Sequence, residues 1–331
     1  MRIRIPGRTT LFRLSKAVAF TAVFLILLHL LSPLLAPKSN GPDQGMLTYI
    51  RGRSALAEPT DTLDILSIGN SNLYASFSPM DLWKSHGYAA YNVGEPMVDI
   101  YHTATLLSDI LEKQHPRLLI IEADVLFQRS QDTEYDAAIA AAVDEAFPAV
   151  QFHNRWKSLG RSDFTQKPRN NWKSRKKGYL LLKGTEAYIP SSSSYTVKES
   201  IHPLIAACAD RILSQCRERD IQVLITAAPC KAWNASRHQA VQHYADKRDI
   251  PFLDLAQNSD AYGFSWDTDS SDGGFHLNHR GAQKLTAYLG GYLEDHYTLP
   301  DHRGEAAYAS WDTDYQAYQK DSDAFYAADA S

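Results

Sequence analysis

The run Gly69-Asn70-Ser71-Asn72 closes an apolar stretch, Leu63 to Ile68, and sets a serine between two asparagines where a buried strand must end. Glycine and asparagine tolerate left-handed backbone, so a turn alone would account for them. A serine at that place has a second use. Its hydroxyl becomes a nucleophile once an imidazole accepts its proton, and a carboxylate that fixes the imidazole's tautomer improves the exchange. Asp272 and His276 supply such a pair within five residues late in the chain, and Asp269 stands behind Asp272 as a second acid. Two glycines, Gly273 and Gly274, lie between Asp272 and His276 and let the loop bulge so that the carboxylate reaches the ring. The chemistry of a serine, a histidine and an acid so arranged is acyl transfer.

The elements that must position these residues alternate. Apolar runs "LDILSIG", "AAYNVG", "RLLIIEAD", "IQVLITAAP" and "IPFLDLA" read as strands, the continuous ones as strands buried on both faces. Between them, apolar residues at helical spacing, such as Ile100, Ala104, Leu107 and Leu111, read as helices. The expected fold is a three-layer α/β architecture with a mostly parallel five-stranded sheet. Ligands of such sheets bind outside the carboxyl ends of the strands. That edge collects Ser71, Gly94, the Glu122 to Asp124 region, Cys230 and the loop that carries His276. Glu122 and Asp124 are expected to bond local amides rather than to work as an acid pair.

Three blocks in this order resemble the SGNH/GDSL hydrolases. "IGNSN" is similar to their first block, "YNVGEP" to their second and "DGGFHLNHRGAQKL" to their last, over Asp61 to His296. The resemblance implies Ser71 as nucleophile, His276 as base and then acid, and Asp272 as its orienting acid. It implies an oxyanion hole built from the amides of Ser71 and Gly94. The sequence departs from the family in three places, one of them the spacing of "DGGFH", where an extra residue puts Gly273 at the position of the family's acid and leaves Asp272, with Asp269 behind it, as the candidate. Asn70 replaces the acid of the first block, and "IIEADVLF" lacks the asparagine of the third, for which Asn70, Asn72 or Asn92 are the available substitutes. The best match within the superfamily is the membrane-anchored DltD-like group, to which "HNRWKSL" and "KKGY" also bear likeness. That group implies an extracytoplasmic serine esterase or O-acyltransferase. It would act on an anionic cell-envelope glycopolymer, beside a membrane-bound O-acyltransferase partner, with no metal or dissociable cofactor. A catalytically silent SGNH-like scaffold that binds polymer or such a partner is the alternative.

The flanks fit an anchored protein. Residues 1–16 hold five basic residues and no acid, and residues 17–36 are an almost unbroken apolar run. At ~1.5 Å per residue that run reaches about 30 Å, the thickness of a bilayer's hydrocarbon core. Pro37 follows directly and would hinder signal cleavage. The expectation is therefore an uncleaved single-pass anchor, its N-terminus cytoplasmic and the rest outside. Residues 37–60 read as a polar stalk, 61–296 as the catalytic domain, and 297–331 as an acidic, aromatic tail, disordered or laid over the surface. An insertion at 154–178 carries nine Lys and Arg against one acid, and suits an anionic polymer, anionic headgroups or plain solvent. Three cysteines without CxxC spacing make neither a disulfide framework nor a zinc site. His238 and His243 do not share a helical face, and neither nucleic-acid nor nucleotide-binding motifs occur. Ser191 to Ser194 read as a loop.

Overall fold

The computed structural model describes residues 8–42, 50–127, 133–189 and 198–329. The serine run at 191–194 and parts of the basic start, stalk and tail lie outside them. Five strands form one sheet in the order β2-β1-β3-β4-β5, with every pairing parallel. They are β1 (Ile65–Gly69), β2 (Ala90–Gly94), β3 (Leu118–Glu122), β4 (Gln222–Ala227) and β5 (Phe252–Asp254). The helices of the first half are α1 (Arg8–Leu35), α2 (Ile50–Arg53), α3 (Ser71–Ser76), α4 (Pro79–His86), α5 (Ile100–Leu111) and α6 (Glu134–Ala146). Those of the second half are α7 (Pro148–Gln151), α8 (Arg161–Thr165), α9 (Pro203–Arg217), α10 (Ala235–Asp246), α11 (His279–His296) and α12 (Ala309–Asp329).

Alternation along the strands divides the core. Leu66 and Ile68 of β1 and Leu119 and Ile121 of β3 pack toward α5, α9 and α10. Ile65, Leu118 and Ile120 point the other way, against Leu73 and Phe77 near α3, Leu82 of α4, and Leu285, Leu289 and Leu293 of α11. Successive side chains of a strand leave by opposite faces, so a sheet covered by helices on both sides needs apolar residues at every position. Cys216 is buried and Cys208 partly so. Burial pushes their thiols up to about 12 and about 11, which leaves them unreactive near neutrality.

α1 includes a 24-residue stretch, Phe12–Leu35, long and apolar enough to cross a membrane. Its C-terminal end does not lead into a free stalk. Ser32 and Lys38 are buried, Asn40 accepts the amides of Asn171 and Trp172, and the Arg155 guanidinium donates to the Leu35 carbonyl at 2.8 Å. Residues 50–57 are helical, with Gly52, Ser54, Ala55 and Leu56 buried.

The tail is ordered as well. Over its described part it forms α12, whose Trp311, Tyr318 and Phe325 are buried, with the Trp83 ring of α4 tilted against Trp311 at 5.2 Å between ring centroids. Lys177, fully buried, joins the tail to the rest. Its ammonium lies 2.9 Å from Glu58 and 2.8 Å from Asp314, and 4.5 Å from the centre of the Trp311 ring. Removing one member of a buried ion cluster leaves the others desolvated without compensation. Lys177→Met should therefore lower stability by about 3–5 kcal/mol in urea unfolding of the detergent-solubilised chain.

His279 makes a second tie to the tail. It contacts the Tyr179 hydroxyl through Nδ1 at 3.1 Å and the Ser322 hydroxyl through Nε2 at 2.7 Å. Burial pushes its imidazole from an ordinary 6.5 down to about 4. The unfolded chain then binds a proton that the folded chain refuses, so stability is lost as pH falls from about 6.5 through about 4. Urea midpoints at pH 7 and pH 5 should differ less in His279→Gln than in the wild type.

Candidate active site

Ser71 is the first residue of α3, immediately beyond β1. The Asn70 carboxamide caps that helix by accepting the Asn72 amide at 2.9 Å. The Ser71 amide opens the first helical turn, where backbone N–H groups have no intrahelical partner, so it is a donor available to a developing oxyanion. Tyr74, one turn on, interacts with the Ser71 hydroxyl. Burial holds its phenol above the ordinary range and therefore neutral, and the Arg51 guanidinium lies 4.5 Å from its ring centre.

The loop before α11 brings the histidine. His276 Nδ1 lies 2.6 Å from Asp272 Oδ2, and the His276 amide donates to Asp272 Oδ1 at 2.8 Å. This double attachment fixes both ring and backbone. The detour that permits it passes through Gly273 and Gly274 at φ of +67° and +90°, and a Cβ on Gly274 would stand 2.6 Å from the Tyr188 ring. Asp269 is occupied elsewhere: fully buried, it accepts the Ser265 amide at 2.7 Å and Lys284 Nζ at 2.8 Å. Asn278 caps α11 by accepting the Gly281 amide.

Ser71 and His276 line one groove of about 330 Å³, together with Asn72, Met97, Lys231, Arg237 and Phe275. No hydrogen bond joins Ser71 to His276 among the described residues. Met97 and Phe275, 66% and 53% exposed, form apolar lips. Met97 holds φ at +54°, which is uncommon for a residue with a long side chain. The Lys231 ammonium sits 3.0 Å from the centre of the Phe275 ring.

The sequence did not foretell the part played by Asp124. Its buried carboxylate accepts Asn70 Nδ2 at 3.0 Å, Asn72 Nδ2 at 2.8 Å and the Arg237 guanidinium at 2.6 Å. Arg237 also bonds Glu199 at 2.7 Å and lies over Phe127. Burial raises Glu199, but bonds from Arg237 and Asn234 outweigh it and hold the carboxyl below the ordinary range.

The three asparagines weighed as oxyanion donors separate. Asn92 is fully buried on β2, where its carboxamide donates to the Phe77 carbonyl and accepts the Ser67 hydroxyl, and it does not line the groove. That reading is corrected: the side chain serves the sheet. Asn70 is likewise buried and divided between Asn72 and Asp124. Asn72 does line the groove, and its amide nitrogen carries a second hydrogen beyond the one given to Asp124. Gly94 ends β2 in register with Gly69 and is not among the residues that line the groove; a Cβ there would stand a tight 3.0 Å from the Asn70 carbonyl. Among the described residues, no group of three or more His, Cys, Asp or Glu is placed to hold a metal ion.

No family model matches the sequence, and no curated protein matches it. Among solved structures, a Bacteroides fragilis protein put forward as an acylhydrolase is similar at 13% identity over 75% of this chain and 94% of its own, with a TM-score of 0.39. A GDSL-like lipase from Bacteroides thetaiotaomicron is similar at 12% identity over 75% and 96%, with a TM-score of 0.38. A gut microbial diltiazem-metabolizing enzyme is similar at 13% identity over 71% of this chain and 48% of its own, with a TM-score of 0.28.

Replacing Asp272 by Asn would keep the loop's shape but admit the wrong imidazole tautomer, a change that can cost about 10,000-fold in turnover in serine hydrolases. If Ser71 and His276 act as nucleophile and base, Asp272→Asn should abolish most turnover in a nitrophenyl-ester assay, with the melting temperature nearly unchanged. Asp269→Asn should do the reverse, because it weakens a buried pair with Lys284 and leaves the groove's lining intact.

Proposed function

We propose that this protein is a serine esterase or O-acyltransferase of the SGNH type, held at the membrane by α1 with its catalytic domain outside the cytoplasm. Its substrate class is acyl esters of an anionic cell-envelope glycopolymer, handled through an acyl-Ser71 intermediate. The observation that carries the reading is the 2.6 Å bond between Asp272 and His276 in the groove that Ser71 also lines.

In this reading the Ser71 hydroxyl attacks the ester carbonyl and passes its proton to His276 Nε2, while Asp272 stabilises the imidazolium through Nδ1–H. The Ser71 amide, with Asn72 Nδ2 and Gly94 as further donors, receives the oxyanion. Each such donor is typically worth ~100- to 1,000-fold in turnover. Collapse of the tetrahedral intermediate expels the alcohol, which takes the proton from His276. Water, or a hydroxyl of the acceptor, then attacks the acyl-serine with His276 as base. The apolar lips Met97 and Phe275 suit the acyl group. Lys231, which makes no ion pair among the described residues, suits an anionic polymer. The likeness of "HNRWKSL" and "KKGY" to the DltD-like group favours work beside a membrane-bound O-acyltransferase.

A silent scaffold is the second reading, favoured by the missing third-block asparagine and by the absence of a hydrogen bond between Ser71 and His276. A fluorophosphonate probe separates the two, since it labels only an activated serine. The wild type should label, Ser71→Ala should not, and His276→Ala should label at least 100-fold more slowly. An unlabelled wild type that is otherwise folded would establish the scaffold.

A further inference from the structure

The segment from Pro148 to Thr165 is fastened to the last turns of α1. The Ala149 amide donates to the Ser32 hydroxyl at 3.1 Å, and Arg155 donates to the Leu35 carbonyl at 2.8 Å. Arg155 is itself fixed by Asp163 at 2.6 Å, the only acid in the basic insertion and a buried one. Whatever plane the end of α1 occupies, this collar occupies too.

The exposed face of the collar has an unusual chemistry for a surface in water. Trp156 and Phe164 are 63% and 68% exposed, and Val150 is 37% exposed. The Lys157 ammonium lies 5.8 Å from the Trp156 ring centre, and neither Lys157 nor Arg161 makes an ion pair among the described residues. Large apolar rings left in water are unfavourable, and a cluster of them marks a surface made to be covered. Tryptophan prefers the level of lipid headgroups, where an amphipathic ring meets both layers, and basic side chains beside it are attracted to anionic lipids. A soluble polyanion would answer the cations but offers no apolar layer to the rings.

We infer that this collar, through Trp156, Phe164, Lys157 and Arg161, lies in the headgroup layer of an anionic leaflet and fixes the tilt of the catalytic domain above the bilayer. The inference rests on the proposal that α1 crosses the membrane. A domain joined by a flexible stalk would sample all orientations, whereas one bolted to its anchor and braced by inserted rings keeps its groove at one height.

The test uses the full chain reconstituted into vesicles of phosphatidylglycerol and phosphatidylcholine. Flotation comes first: a protein that fails to float with the vesicles overturns the anchoring, and this inference with it. With flotation established, the acyl chains are replaced by brominated ones, which quench tryptophan only at membrane depth. α1 contains no tryptophan, so quenching reports on the rest of the chain. The wild type should be quenched, and Trp156→Phe should lose most of the bromine-dependent quenching. Equal quenching in the two, or none in the wild type, would place the collar off the bilayer. The charge reversal Lys157→Glu with Arg161→Glu should lower quenching in anionic vesicles to the level seen in phosphatidylcholine alone. Quenching indifferent to phosphatidylglycerol would overturn the anionic part of the inference. Trp156 is largely exposed, so its replacement leaves the fold intact, which an unchanged melting temperature would verify.

Discussion

The buried ammonium of Lys177 is the constraint on which the arrangement of the flanking segments depends. An ion with no access to water is tolerable only when its partners are brought to it in good geometry. Glu58 comes from the segment before β1, Lys177 from the basic insertion, and Asp314 from the tail, so one charge obliges three distant stretches of chain to meet. The same residue sits at φ of +50°, and its carbonyl accepts the Asn92 amide at 2.9 Å. β2 is the outer strand of the sheet, and an outer strand with free amides invites pairing with other chains. The insertion therefore covers an edge of the sheet as it gathers the flanks. Gly178, at φ of +83°, packs so near the Asn92 backbone that a Cβ would stand 2.1 Å from its carbonyl oxygen, so the glycine after the lysine is required by space as well as by backbone angle.

Asp124 plays the corresponding part at the candidate site. Asp124 stands just beyond the end of β3, the neighbour of β1, and Asn70 donates to it at 3.0 Å. The carboxylate also holds Asn72 and Arg237. A buried carboxylate with three donors is well compensated, and it locks the ends of β1 and β3 to the start of α10. The serine turn thus has its shape determined by β3 and α10, which explains how a strand end rich in asparagine can be rigid.

Much of this was legible from sequence, for reasons that differ by residue. The five strands were readable because a sheet covered on both faces demands unbroken apolar runs. The Asp272–His276 contact could be foreseen from Gly273 and Gly274, the residues a bulge requires. Between a disordered tail and one laid over the surface, the sequence offered no choice. Its buried positions Trp311, Tyr318 and Phe325 recur every seven residues, but alanine and aspartate dilute the pattern, and its burial depends on Trp83 and Lys177, which only tertiary structure supplies. The docked beginning of the stalk was hidden for the same reason, since Asn40 is held by the backbone of residues 171 and 172. Asn92 misled because its place near the strand end gives no sign that its side chain turns inward.

The two cations of the groove are not equivalent, and this bears on what the groove can recognise. Arg237 faces Asp124 and Glu199, two carboxylates, and stacks on Phe127, so its charge is locally cancelled and its contribution is rigidity. Lys231 has no carboxylate partner among the described residues. Its ammonium rests on the face of Phe275, an interaction that stabilises a cation without neutralising it. An anionic group entering the groove therefore meets its net attraction at Lys231, beside Phe275. Phe275 immediately precedes His276, so an anion drawn to Lys231 is placed next to the imidazole. The loop that holds His276 against Asp272 thus also sets Phe275 under Lys231, and its path runs through the two glycines between Asp272 and Phe275.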